Sequence, residues 1–343
     1  MSNHIENLKI SNFKCFKELE VSNIGRVNLI GGKNNVGKTA FLEAVEIFAS
    51  SYTGYDLFYP IYNILKRRQY ETQLNQKDSQ LFEIDFIYDD EIETIISSTS
   101  KVCKIKLGKV DFNISNVLST EDLILSVNDD TYNLGVINFL SSSTTFSRRN
   151  LKNNLIYIAT SKTKEQDIAI SFSALIELNL ERFLNNSLSL FDENILELKP
   201  TVKKQGVVLK LKLKNKNSLV FLSSLGEGIN RYIAILCAIW ASKDSVLLID
   251  EIENGIHYTN YKKLWQIIFQ ASVDANCQLF ITTHSKECIS AFNEVQLDSK
   301  YESCNSQYFE LYRHLKKDLI IASNIDKERL HYSLTHEGRV RGE

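Results

Sequence analysis

Four short stretches of this sequence carry side chains whose chemistry is legible before any fold is assumed. The first, Gly32-Lys33-Asn34-Asn35-Val36-Gly37-Lys38-Thr39, satisfies G-x-x-x-x-G-K-[ST]. Glycine at 32 and 37 lets the backbone turn sharply enough for its N–H groups to face phosphate oxygens. A helix starting there would aim its positive end at the same oxygens. Gly32, Asn34, Asn35, Gly37, Lys38, Thr39 and Ala40 are therefore the candidate nucleotide-binding residues. Lys38 would supply a point charge to the β- and γ-phosphates and Thr39 a hydroxyl to a metal, so the expected cofactors are ATP and Mg2+.

The second stretch, Ser245-Val246-Leu247-Leu248-Ile249-Asp250-Glu251, is an apolar run ending in two acids. It describes a buried strand that emerges at the ligand edge of an α/β sheet. There Asp250 would hold the metal shell and Glu251 would polarise the attacking water as general base. A solvated acidic pair is the alternative in isolation, and the phosphate loop upstream argues against it. The third, Leu225-Gly226-Glu227-Gly228-Ile229-Asn230-Arg231, is a glycine turn opening an apolar helix. Gly226 and Gly228 there form a second candidate anion site, redundant within one chain but useful across a pair of chains. The fourth, Phe280-Ile281-Thr282-Thr283-His284-Ser285, ends another apolar strand in a polar cluster, and its histidine follows Glu251 by 33 residues. From there His284 could reach the γ-phosphate or the attacking water.

The elements that must position these groups follow from periodicity. Residues 5–10 and 16–22 alternate about Asn12-Phe13-Lys14 as a hairpin, 26–30 reads as a buried strand, and 39–50 has helical spacing. Residues 51–75 are ambiguous. Short alternating runs over 81–140 read as antiparallel strands, 141–154 as a mobile loop, and 155–160 as another strand. One or two helices over 163–196 precede strands near 197–213. The last third alternates helix 229–241, strand 245–250, helix 258–272, strand 277–283 and helix 285–294, which implies parallel strands with crossover helices.

Composition excludes some partners. The net charge is −2, so no global attraction to nucleic acid follows. Cys237, Cys277 and Cys288 lie in apolar runs and read as buried free thiols. No basic leader precedes an apolar stretch and no run of about 18 apolar residues occurs, so no membrane association and a cytoplasmic location are expected.

With all four stretches in order, the chain resembles the ABC-type ATPase superfamily that includes RecF, the SMC proteins and the OLD ATPases. It is similar above all to compact bacterial OLD/RecF-like proteins labelled AAA family. The phrases NLIGGKNNVGKTAFLEA, SLGEGINR, LLIDEIENGIHYTNYKKLW and ITTHSKECI carry that resemblance, together with the opening LKISNFKCFKELEVSNIGRVNLI. It covers roughly residues 5–50 and 220–295.

The resemblance implies an α/β fold: an ABC-ATPase-head P-loop fold, a mixed sheet with an antiparallel β subdomain, plus a helical and β insertion. Residues 1–50 would be the N-terminal lobe with Walker A, 51–215 a β-rich arm and helical lid, and 216–343 the C-terminal lobe. By the same resemblance Gly32 to Thr39 form Walker A, Asp250 and Glu251 Walker B, Leu225 to Ile229 the signature loop, and His284 the switch histidine. Glu253-Asn254-Gly255-Ile256-His257 stands where the dimer-contacting D-loop lies. If LGEGI aligns with LSGGQ, Gly226 replaces the usual signature serine, with Ser223 and Ser224 as substitutes. Gln69, Gln73, Gln76 and Gln80 are candidates for the Q-loop, none of them singled out. No Toprim nuclease domain is recognisable.

The function implied is an ATP-hydrolysing switch that closes as a homodimer, or assembles as a higher oligomer of dimers. It would control a separately encoded effector in bacterial antiphage defence. The alternative is a RecF-like DNA-binding ATPase in repair, for which Lys66-Arg67-Arg68, Arg148-Arg149 and Lys203-Lys204 are the basic clusters; each reads more readily as a solvated face.

Overall fold

The computed structural model describes residues 5–69, 93–109, 121–135, 155–160, 165–203, 206–314 and 316–336. The run LFEIDFIYDD, the polar stretch 141–154, Gln73, Gln76, Gln80 and Arg148-Arg149 lie outside them, as does Lys204.

The chain opens with the hairpin β1 (Leu8–Phe13) and β2 (Phe16–Val21), followed by β3 (Val27–Gly32) and α1 (Lys38–Ser50). The ambiguous segment 51–75 resolves, as far as Gln69, into a short 3-10 turn and α2 (Phe58–Gln69). Strands β4 (Thr94–Ser97), β5 (Val102–Lys109), β6 (Glu121–Val127) and β7 (Asp130–Gly135) follow, then β8 (Ile156–Ile158). Two helices, α3 (Glu165–Glu177) and α4 (Glu181–Phe191), precede β9 (Ile195–Lys203), β10 (Gly206–Leu213) and β11 (Val220–Phe221). The last third holds α5 (Glu227–Ala241), β12 (Val246–Ile249), α6 (Tyr261–Asp274), β13 (Gln278–Thr282) and α7 (Lys286–Leu297). It closes with β14 (Ser306–His314), β15 (Leu319–Ile325) and α8 (Lys327–Thr335).

These strands form three sheets. The central one has the order β15-β14-β3-β13-β12-β8, parallel throughout except for the antiparallel edge pair β14–β15. The second is antiparallel, β2-β1-β4-β5-β6-β7, so strands from the middle of the chain extend the sheet that the N-terminal hairpin begins. The third is the small β11-β10-β9 sheet.

The central strands are buried on both faces. Their alternation splits side chains between two cores: Leu29, Leu247, Ile249, Leu279 and Ile281 face the cluster containing Ile168, Ile235 and Trp265. Ile30, Val246, Leu248 and Phe280 face the cluster built on α1, α2 and the antiparallel sheet. Each fully buried aliphatic side chain contributes about 1.5–3 kcal/mol. The parallel sheet is thereby a rigid plank clamped from both sides. Among the described residues, no helix is long and apolar enough to cross a membrane.

All six cysteines are free, and Cys237, Cys277 and Cys288 are buried. In the basic cluster on α2, Arg67 and Arg68 are engaged by carboxylates of α1. Arg67 pairs with Glu46, and Arg68 bonds Glu43 Oε1 at 2.8 Å while Lys14 reaches Glu43 Oε2 at 2.6 Å. Glu43 and Glu46 project from α1 into the interior, and burial of two carboxylates demands cations nearby.

Candidate functional site

The parallel strands β3, β13, β12 and β8 share one C-terminal edge, and each carries its polar residues there. At the end of β3 the chain passes through Gly32, with φ of 138°, and Gly37, with φ of 88°, before α1 begins at Lys38. Both angles lie in the region open to glycine, and side chains there would also collide: with the Leu311 carbonyl at Gly32, and at Gly37 with Cys15 Sγ, 2.5 Å away. Lys33, Asn34 and Asn35 are exposed at the loop's tip, and Ala40 is buried in the first turn of α1. Lys38 is buried, its ammonium donating to the carbonyl oxygens of Gly32 at 2.8 Å and Lys33 at 2.9 Å. The charge is thus pinned inside the loop.

Thr39 joins this loop to the acidic pair. Its hydroxyl donates to Asp250 Oδ2 at 3.0 Å. The same oxygen accepts from Thr160 Oγ1 at 3.2 Å and the Tyr157 hydroxyl at 3.4 Å, and Asp250 Oδ1 accepts from Thr282 Oγ1 at 2.6 Å. Four hydroxyls from three segments, with Tyr157 and Thr160 both on β8 and its end, therefore fix one carboxylate. Burial, with the neighbouring Asp250 charge, pushes the Tyr157 phenol well above its usual range, so it serves as a donor.

Glu251 is held in a left-handed conformation, φ 48°, which costs a residue other than glycine on the order of 1–2 kcal/mol. Its N–H donates to Thr282 Oγ1 at 2.8 Å, and its Oε2 accepts from Asn254 Nδ2 at 3.1 Å. The side chain stays partly open to solvent. His284 stands beside it, with Nδ1 3.4 Å from Glu251 Oε1.

The structure therefore brings Gly32 to Thr39, Asp250, Glu251 and His284 to one edge. Gly226 and Gly228 belong to a separate corner. Gly226 is the exposed residue preceding α5, with no side-chain hydrogen bond capping the helix, and a Cβ built on it meets nothing within 4 Å. Gly228 is packed instead: a Cβ there would lie 2.6 Å from the Gly255 carbonyl oxygen. Ser223 and Ser224 are exposed in the 3-10 turn before it. His257 is exposed and bonds Thr259 Oγ1 at 2.9 Å.

Several participants were not singled out from the sequence. Arg231 is buried on α5; its guanidinium donates to the carbonyl oxygens of Ala159 at 2.5 Å, Asp250 at 2.6 Å and Glu251 at 3.3 Å. Burial draws it below the ordinary arginine value, against the opposing pull of Asp250, Glu253 and Glu251. Glu253 is buried, and its Oε1 accepts from the backbone N–H groups of His284 at 2.6 Å and Ser285 at 3.1 Å. Thr160 and Tyr157 had one readable signal: LIYIAT is an apolar strand ending in a polar residue, like LLIDE and FITTH. The donor set of Thr39 hydroxyl and Asp250 carboxylate is all oxygen, which fits a hard divalent ion such as Mg2+ that takes its remaining ligands from phosphate and water.

Comparison with known proteins bears on the fold and the family. The chain is 26% identical over 333 residues to an ATP/GTP phosphatase of Helicobacter pylori, covering 85% of this chain and 88% of that protein. A stretch of 57 residues is 44% identical to an uncharacterised protein of Methanocaldococcus jannaschii, covering 17% of this chain and 26% of the relative. Among solved structures, an Smc head bound to the C-winged helix domain of ScpA superposes with a TM-score of 0.51 at 12% identity, covering 96% of this chain and 99% of that one. An Smc head with an extended coiled coil, bound to the C-terminal domain of ScpA derived from Pyrococcus furiosus, gives the same score, over 97% and 99%. The fold is that of an ABC-type ATPase head. The family described as "AAA domain, putative AbiEii toxin, Type IV TA system" matches residues 27–290, and the chain belongs to it as a P-loop ATPase.

Proposed function

We propose that this ATPase works as a nucleotide-operated switch: two copies close on ATP, and hydrolysis reopens them to control a separately encoded effector. The observation that carries the reading is the hydrogen bond from Thr39 to Asp250, which ties the phosphate loop to the acidic pair at one sheet edge beside His284. In this scheme the loop N–H groups and Lys38 hold the β- and γ-phosphates. Thr39 and Asp250 would hold Mg2+, which would supply positive charge against the phosphate oxygens. Glu251 accepts a proton from the attacking water as its oxygen bonds to the γ-phosphorus and ADP leaves. His284 orients that water or the γ-phosphate. The exposed N-terminus of α5, at Gly226, would meet the γ-phosphate held by the other copy.

Antiphage defence is the setting suggested by the resemblance to stand-alone OLD-like ATPases. The DNA-repair alternative draws no support from α2, because Arg67 and Arg68 are engaged by Glu46 and Glu43. The test is Glu251→Gln, which removes the base and keeps the shape. Mg-ATP should convert this variant to a stable dimer by light scattering, with hydrolysis reduced on the order of 100-fold or more. Undiminished turnover would remove Glu251 from its role, and a monomer at saturating ATP would remove the closure step.

A further inference from the structure

We infer that Glu253 is the positioning residue of His284, fixing which ring nitrogen the histidine turns toward the nucleotide. The inference rests on the proposed role of His284 and extends it to a residue outside the acidic pair.

Glu253 lies in the turn after Glu251, yet its carboxylate is folded inward, with the side chain only 6% exposed against 45% for His284. One oxygen does all the bonding. Oε1 accepts the His284 and Ser285 N–H groups and also lies 3.0 Å from His284 Nδ1. A carboxylate oxygen already taking two N–H donors accepts a third, so Nδ1 carries the ring proton in this pair. The backbone bonds fix where the histidine's main chain sits, and the ring bond fixes its rotation. Nε2 is then the nitrogen left to address a phosphate oxygen or a water. Glu251 Oε1 lies 3.4 Å from the same Nδ1, so the proton on that nitrogen is flanked by both carboxylates.

A second observation points away from a purely structural role. Glu253 Oε2 is buried with no hydrogen-bond partner. A carboxylate there only to close the turn, or to complement the start of α7, would gain by placing both oxygens on donors or in water. Here one oxygen forgoes partners while the other is held on the ring and backbone of His284 and on the backbone N–H of Ser285. Partners of this kind fix tautomer and ring orientation wherever imidazole acts.

The test is a double-mutant cycle in the full chain under steady-state ATP hydrolysis. Glu253→Ala should lower kcat by roughly 10–100-fold with KM for ATP unchanged. Glu253→Gln, whose amide oxygen can still accept all three N–H groups, should recover most of that loss. In a His284→Ala background Glu253→Ala should cost nothing further, because its effect runs through the ring. Nitrogen-15 spectra at alkaline pH should show the His284 proton on Nδ1 in the wild type and on Nε2 in Glu253→Ala. An equal loss in both backgrounds, or an unchanged tautomer, overturns the inference. A His284→Ala variant with full kcat would instead overturn the role given to the histidine, while the spectra would still decide whether Glu253 sets its ring.

Discussion

The two glycine-bearing corners of this molecule are built in opposite ways. At the end of β3 the polar groups are committed to the chain's own atoms: Lys38 to two loop carbonyls, Thr39 to Asp250, Asp250 to four hydroxyls. At the start of α5 the chain ends in open space, with Gly226 uncapped and Ser223 and Ser224 exposed, while only Gly228 is packed, against Gly255. The first corner is organised in advance, which is what fast, selective binding of a highly charged ligand requires. The second offers a helix end and little else, the form expected of a surface completed by another molecule. In the proposed dimer one corner binds and the other answers.

That contrast can be broken experimentally. The largest effect belongs to Lys38→Ala, which strips the charge from the organised corner. Mg-ATP affinity should fall on the order of 1000-fold, about 4 kcal/mol for two charge-assisted phosphate bonds, as read by calorimetric titration. Next comes Arg231→Met, which leaves the Ala159, Asp250 and Glu251 carbonyls without their shared donor. It should lower unfolding free energy by about 3 kcal/mol in denaturant titrations.

A matched pair sharpens the second corner. Gly228→Ala forces a Cβ to within 2.6 Å of the Gly255 oxygen and should cost about 1–3 kcal/mol of stability. Gly226→Ala meets open space and should change stability by less than about 0.5 kcal/mol, yet slow ATP turnover. If Gly226→Ala turned over at the wild-type rate, the answering role of that corner would be lost.

The smallest effect is an acid-side one. Burial pushes the Glu43 carboxyl up, but the Arg68 hydrogen bond and the Lys14 charge outweigh it and hold it below 4.5. Its folded value is depressed, so its stabilisation is present above pH 4.5 and is lost as pH falls further. Glu43→Gln should flatten the slope of unfolding free energy against pH in that range.

Much of the first corner was legible because each part is local. An apolar strand, a fixed glycine spacing and an amphipathic helix lie within a few tens of residues, and LLIDE and FITTH repeat the strand-to-polar pattern. What escaped the sequence is set by partners far away. The pairing of β1 with β4 joins Lys9 to Ser97 across a stretch that contains β2, β3, α1 and α2, which no window of periodicity detects. Strands β14 and β15 went unassigned because neither ends in a motif stretch and their place is set by pairing with β3 and with each other. Arg231 and Glu253 stood inside the signature and D-loop stretches but were given no role of their own, because that role comes from the carbonyls and N–H groups that the fold brings to them. The ion pairs of Arg67 and Arg68 escaped because the cluster reads as a solvated face, while their partners Glu43 and Glu46 are buried on a different helix.

Strand β3 takes both of its neighbours from late in the chain: β13 on one side and β14 on the other. The Leu311 carbonyl presses against Gly32 and Tyr308 against Gly31. A ribosome therefore delivers the phosphate loop early and its walls last. A nascent chain halted before residue 306 holds the lysine, the threonine and the glycines, but no cradle to hold them in shape. Products that end before residue 306 are expected to be inert toward ATP, although their phosphate loop is complete in sequence.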